Sequence, residues 1–193
     1  MTDRKLTWLI PAAAAALVVV ASAAIAVARP VGGTAGDDVL AGTNGRDRVA
    51  AQAGNDKVYA KRGGDRVSAG EGNDTVYAGR GLDKAFGNAG DDTLSGGPGN
   101  DRLKANRGVD TLYGGMGNDD LWALAHDDVT GEAGEPADTL RGGPGRDRFH
   151  VRDGEADHVD CGDGFDVVLA DFKDEIANNC ERVRRHAPVA RDD

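Results

Sequence analysis

The 193-residue chain carries a formal net charge of −10, contains 29 glycines and has only 5% aromatic residues, with a mean hydropathy of −0.47. A chain this acidic is no partner for nucleic acid, and without a ligand its composition is that of a disordered segment.

The first 28 residues read differently from the rest. Asp3, Arg4 and Lys5 precede an apolar run from Leu6 to Ala28, broken by Thr7, Pro11 and Ser22 and ending Ala26-Val27-Ala28. That succession of charged region, apolar region and small-residue cleavage site is the pattern of a secretory signal peptide, with cleavage expected after Ala28. The run is also long enough to span a bilayer, so an uncleaved anchor is the alternative. Either reading predicts export, and cleavage leaves the mature chain one charge more acidic.

From Gly33 to Trp122 a nine-residue phrase repeats without a break, as in Gly96-Gly-Pro-Gly-Asn-Asp-Arg-Leu-Lys104 and Gly114-Gly-Met-Gly-Asn-Asp-Asp-Leu-Trp122. The fourth place is always Gly and the sixth always Asp. The eighth is always apolar: Leu40, Val49, Val58, Val67, Val76, Ala85, Leu94, Leu103, Leu112 and Leu121. The last three places alternate as a strand does, which predicts one buried side chain per repeat. Glycine permits the tight turn before that strand. A hard cation such as calcium takes about six to eight oxygens, which clustered carbonyls and an Asp carboxylate would supply.

The phrase resembles the calcium-binding nonapeptide of the RTX (repeats-in-toxin, haemolysin-type) proteins. The resemblance implies an all-β fold, a parallel β-roll solenoid of nine-residue repeats with eighteen residues per coil. Six residues of each repeat then form a calcium-binding turn and three a strand, with several calcium ions held between successive coils. The carboxylates it assigns to metal are those of Asp38, Asp47, Asp56, Asp65, Asp74, Asp83, Asp92, Asp101, Asp110 and Asp119, then Asp138, Asp147 and Asp166. The backbone of Gly36, Gly72, Gly87, Gly90, Gly96, Gly97, Gly99, Gly114, Gly115, Gly117, Gly142 and Gly143 would complete the turns. The pairs Asp74 with Asp92 and Asp101 with Asp119 are expected to fill first. The cation-rich turns of Asp47 and Asp65 are expected to fill last.

After Trp122 the register loosens. Ala123–Thr130 is read as a repeat short by one residue, with His126 in place of Gly, and Gly131–Arg141 as a repeat carrying an insertion. Register returns at 142–150, slips at 151–160 and recovers at 161–169, closing a β-roll over 29–169. Residues 170–183 are expected to form a small C-terminal cap and 184–193 a flexible tail. The two cysteines, Cys161 and Cys180, flank the cap, and in an exported chain an even pair predicts a disulfide. Cys-Gly-x-Gly-x-Asp followed by Cys-Glu-Arg-Val also resembles the terminal coil of exported RTX-like proteins. The bridge is expected to hold Phe172 and Ile176 over Val168.

Catalytic patterns do not appear. The histidines 126, 150, 158 and 186 lack metalloprotease spacing, and no nucleophile elbow or Gly-Lys-Ser/Thr cradle occurs. The expected function is therefore that of an exported, extracellular or cell-surface, monomeric calcium-binding module without enzymatic activity. Residues eighteen apart should align on one face. Arg48, Arg66, Lys84 and Arg102 then form a basic row, and Lys57, Thr75, Thr93 and Thr111 with Tyr59, Tyr77, Ser95 and Tyr113 line the opposite sheet. That arrangement, with the resemblance, motivates the alternative: a carbohydrate-active protein, or a polysaccharide-binding accessory module like those of alginate epimerases. Its partner would be an anionic polysaccharide or cell-surface glycan.

Overall fold

The computed structural model describes residues 17–19, 29–123 and 137–186. Apart from Leu17–Val19, the segment 1–28 read as a signal peptide lies outside them, as does the tail from residue 187. No helix occurs among the described residues, and their strands form two nine-stranded parallel sheets that the chain visits alternately.

One sheet stacks Leu17–Val19, Val39–Ala41, Lys57–Tyr59, Thr75–Tyr77, Thr93–Pro98, Thr111–Met116, Thr139–Gly145, His158–Gly164 and Glu175–Ile176. The other stacks Arg29–Gly32, Asp47–Ala53, Arg66–Glu71, Lys84–Ala89, Arg102–Arg107, Asp120–Trp122, Arg148–Val151, Val167–Ala170 and Arg182–Arg185. Pairing follows the eighteen-residue offset, with Thr75 beside Thr93, Thr93 beside Thr111 and Leu94 beside Leu112. Two repeats therefore complete one coil of a β-roll. Strands that enter the glycine-rich stretch, such as Thr93–Pro98, extend the ladder beyond the three residues of the sequence expectation.

The eighth-place residues meet between the sheets, where Leu40, Val58, Leu94, Leu103, Leu112 and Leu121 are fully buried. Each such leucine is worth roughly 1.5–3 kcal/mol of transfer free energy. The core is larger than one side chain per repeat. Ala51, Ala60, Ala69, Ala78 and Ala105, all at the first place, are also buried, and Val151, Cys161 and Ala170 continue that row. The first place points inward because the chain re-enters the interior there after the strand, and only a small side chain fits.

The sheets stay in register across the irregular stretch. Thr139 pairs directly with Thr111, and Leu140 with Leu112. Among the described residues of 123–141 the strand is Thr139–Gly145, and the shortened repeat read over Ala123–Thr130 lies, from residue 124 on, outside the described part. The coil from Asp110 to Asp138 takes 28 residues, against 18 from Asp92 to Asp110. Residues 124–136 lie outside the described part.

At the C-terminal end Cys161 and Cys180 are bridged, with Cα atoms 5.3 Å apart. The cap is one more coil, not a separate lid. Glu175–Ile176 pairs with His158–Val159, and Arg182–Arg185 pairs with Val167–Ala170, so the strand runs into the stretch read as tail. Ile176 and Cys180 pack on the core. Phe172 does not: it is 74% exposed, because it stands in the bend between two strands, outside the inward-facing register.

Candidate metal centre

Every predicted carboxylate lies on one of two ladders, one along each edge of the roll. Asp38, Asp56, Asp74, Asp92, Asp110 and Asp138 form the first; Asp47, Asp65, Asp83, Asp101, Asp119, Asp147 and Asp166 form the second. All are buried, none more than 2% exposed. The sixth-place Asp turns inward just before the strand begins, and one of its oxygens accepts the backbone N–H of the Asp one coil earlier. Asp74 N donates to Asp92 Oδ1 at 2.8 Å, Asp92 N to Asp110 Oδ1 at 2.7 Å and Asp101 N to Asp119 Oδ1 at 2.8 Å. The expected pairings are therefore direct neighbours.

The second oxygen has no such partner. Oδ2 of Asp56, Asp65, Asp74, Asp83, Asp92, Asp101, Asp110, Asp119, Asp147 and Asp166 is buried without a hydrogen bond. A buried carboxylate oxygen left unpaired costs several kcal/mol, so each ladder asks for a cation at a regular interval. The space beside these oxygens fits one. A Cβ added at Gly96 would lie 2.6 Å from Asp101 Oδ2 and 2.6 Å from the Gly114 carbonyl oxygen. At Gly114 it would lie 2.6 Å from Asp119 Oδ2 and 2.7 Å from the Gly142 carbonyl. Gly87 and Gly142 guard the same kind of space beside Asp92 and Asp147. These glycines leave open a gap where carboxylate and carbonyl oxygens converge, the donor set a hard cation requires.

The remaining predicted glycines shape the turn. Gly97, Gly115 and Gly143 hold left-handed backbone at the second place. Gly72, Gly90, Gly99 and Gly117 stack at the fourth, where an added Cβ at Gly117 (φ 132°) would sit 1.6 Å from the Gly99 carbonyl. The Gly36 N–H donates to Thr34 Oγ1 at 3.2 Å in the first coil.

The first two repeats differ. Thr34 N and Oγ1 donate to Asp38 Oδ2 at 2.5 and 3.0 Å, and Thr43 N and Oγ1 donate to Asp47 Oδ2 at 2.6 and 2.9 Å. At Asp47, Thr43 thus donates to both oxygens, whereas Asp38 keeps its Oδ1 buried without a partner.

Burial is the first cause of the electrostatics. It pushes the pKa of Asp65, Asp101, Asp110 and Asp147 up to about 7, against the lowering effect of the backbone N–H bond. Asp92 reaches about 8, with the charges of Asp110, Asp74 and Asp91 adding to burial. A dication beside these groups would favour the ionised form.

Three carboxylates escaped the sequence reading. Asp157 accepts from Asp138 N at 3.0 Å, and Asp174 from Asp157 N at 3.3 Å. Glu181 Oε2 accepts from Asp166 N at 2.8 Å and ends the second ladder. The missed signal was an acidic residue directly before the x-apolar-x strand: Asp157-His-Val-Asp160, Asp174-Glu-Ile-Ala177 and Glu181-Arg-Val-Arg184. That anchor survives where the glycine spacing fails.

On the second sheet Arg48, Arg66, Lys84 and Arg102 align as neighbours, followed by Asp120. Lys104 Nζ lies 4.8 Å from the Trp122 ring centre, and that ring stacks on His150 at 3.6 Å. Burial acts to raise the Asp120 pKa, but hydrogen bonds from His150 and Arg102 overcome it and hold the carboxyl at about 2. On the first sheet Tyr59 stacks on Tyr77, with ring centres 5.2 Å apart.

Stacked nine-residue turns with an inward Asp, most of which keep an unpaired carboxylate oxygen, define a cation-binding parallel β-roll. The RTX calcium-binding nonapeptide repeat matches in overlapping segments from residues 32–67 to 132–168, and the chain belongs to that family. The repeats of this family bind calcium. No curated protein gives a significant match to the chain.

Proposed function

We propose that this protein is an exported, monomeric calcium-dependent β-roll without catalytic activity, a structural or surface-interaction module whose fold is completed by the ion. The observation that carries this reading is the buried, unpartnered carboxylate oxygen repeated along both edges. Without calcium those charges repel one another inside a thin core. With it, each Asp contributes one oxygen to the neighbouring backbone and one to the ion, so binding energy becomes folding energy. Circular dichroism on chain lacking residues 1–28 should change from coil in chelator to β structure in millimolar calcium. The same spectrum in both would refute the proposal.

A second reading is favoured by the basic row. Arg48, Arg66, Lys84 and Arg102 stand on adjacent strands, spaced at about 4.8 Å. They form a track suited to an anionic polysaccharide or cell-surface glycan, as in an accessory module of a carbohydrate-active enzyme. Retention on immobilised anionic polysaccharide in calcium, lost in chelator and in the Arg48→Glu, Arg66→Glu double variant, would support it. Release of product from the same glycans would instead point to an enzyme.

A further inference from the structure

We propose that Asp138, Glu155 and Asp157 form a divalent-cation site of their own, distinct in construction from the repeated turns. This rests on the calcium-binding reading for the identity of the ion, but its geometry arises where the repeat breaks down.

In regular coils the residue two before the ladder Asp is glycine, and nothing larger fits. An added Cβ at Gly90 would lie 2.4 Å from the Gly72 carbonyl, and one at Gly108 would lie 2.3 Å from the Gly90 carbonyl. Two residues before Asp157 stands Glu155. The turn accommodates it because this coil is one residue longer, with a ladder offset of 19 from Asp138 to Asp157. The left-handed backbone moves one place upstream to Gly154 (φ 99°), which frees the next position for a residue with a side chain. Asp153 Oδ1 accepts the Glu155 N–H at 3.0 Å and fixes the turn.

The result is a convergence found in no regular turn among the described residues: one oxygen from each of the three carboxylates, all within 4.8 Å of one another. Oxygens bound to one calcium at about 2.3–2.6 Å stand no more than roughly 5 Å apart, so this spacing matches a shared ion. A separate observation points the same way. Asp157 is 0% exposed, its Oδ1 takes the Asp138 N–H at 3.0 Å, and its Oδ2 is buried with no hydrogen-bond partner. The Lys173 ammonium is spent on the Gly154 carbonyl at the rim of the turn. Ligand charge tightens calcium sites, so three carboxylates at one point should outbind ladder turns that offer one per coil.

The test is calorimetric titration of the exported chain with calcium, comparing wild type, Glu155→Gln and Asp101→Asn. Glu155→Gln should remove one site of the tightest class, or weaken it at least tenfold, while its dichroism in saturating calcium matches wild type. Asp101→Asn should keep that class and lose a weaker site. A measurement on unmutated protein covers a folding failure of the variant: in calcium just sufficient to fold the chain, the first fraction of an equivalent of manganese should broaden the amide signals of Gly154–His158 first. Wild-type titration with Glu155→Gln, or first broadening along the central ladder, would overturn this site and leave the ladder reading standing. Wild type that takes up no calcium would overturn both.

Discussion

Replacing one ladder carboxylate by its amide should move stability in opposite directions with and without calcium. Asp101 is 2% exposed, and burial first, then the charges of Asp83 and Asp119, outweigh its bond from Asp83 N to bring its pKa up to about 7 from 3.8. Holding it ionised at pH 8 therefore costs the calcium-free fold on the order of 4 kcal/mol. Asp101→Asn keeps an oxygen for the Asp83 N–H and abolishes that cost. In chelator, the variant should fold at a lower concentration of trimethylamine N-oxide than wild type. In calcium at 100 times the dissociation constant it should instead lose about 2.7 kcal/mol against urea, the linkage energy of one site. Asp47→Asn is the control. Thr43 already donates to both Asp47 oxygens, so the amide gains nothing in chelator and costs less in calcium. Equal effects at Asp47 and Asp101, or destabilisation of Asp101→Asn in chelator, would refute the assignment of the unpaired oxygen to the ion.

Reduction of the bridge, or Cys180→Ser, should cost about 3 kcal/mol and be felt at the C-terminal coils; hydrogen exchange should rise at Val168 and not at Leu94, and equal rises would show that the bridge supports the whole roll. The pKa values of Asp101 and Asp92 lie above their unfolded values, so their contribution to the calcium-free fold is complete below about pH 4. It is lost as pH rises through about 7 for Asp101 and about 8 for Asp92. Osmolyte-driven folding in chelator at pH 5 and 9 checks that sign, and in calcium, acidification should raise the ion concentration needed. Lys61 holds left-handed backbone at φ 81°. Lys61→Gly should stabilise by about 0.5–1 kcal/mol in urea, the left-handed penalty less glycine's entropy. Leu103→Ala, at a fully buried site, should cost about 2–5 kcal/mol in urea and calcium.

The roll and its ladders were legible because each repeat solves the same local problem: glycine where the chain curls, Asp where it turns in, an apolar residue where the sheets meet. What escaped notice has physical causes. The first-place alanines looked like turn residues, since a single methyl gives almost no hydrophobic signal. Asp157, Asp174 and Glu181 were hidden because the glycine spacing was used to find the carboxylate, whereas the strand behind it fixes where the carboxylate points. Strand pairing, which sets Thr139 beside Thr111, shows that the sheet stays in register across the irregular stretch. Phe172 was drawn inward by its hydrophobicity alone, without a strand register to aim it.

That alternation between sheets gives the sequence a parity. Odd units build the face of threonine and tyrosine, even units the face of arginine and lysine, and each residue's side of the molecule depends on how many strands precede it. Adding or deleting a pair of units would lengthen or shorten the roll and leave both faces coherent. A single unit folded as a strand would exchange the faces of everything after it, cutting the basic row in two. The long coil between Asp110 and Asp138 obeys this rule: it takes 28 residues, and Thr139 still joins Thr111 and Arg148 still follows Asp120. Length in this molecule is free to vary at that place, while count is not.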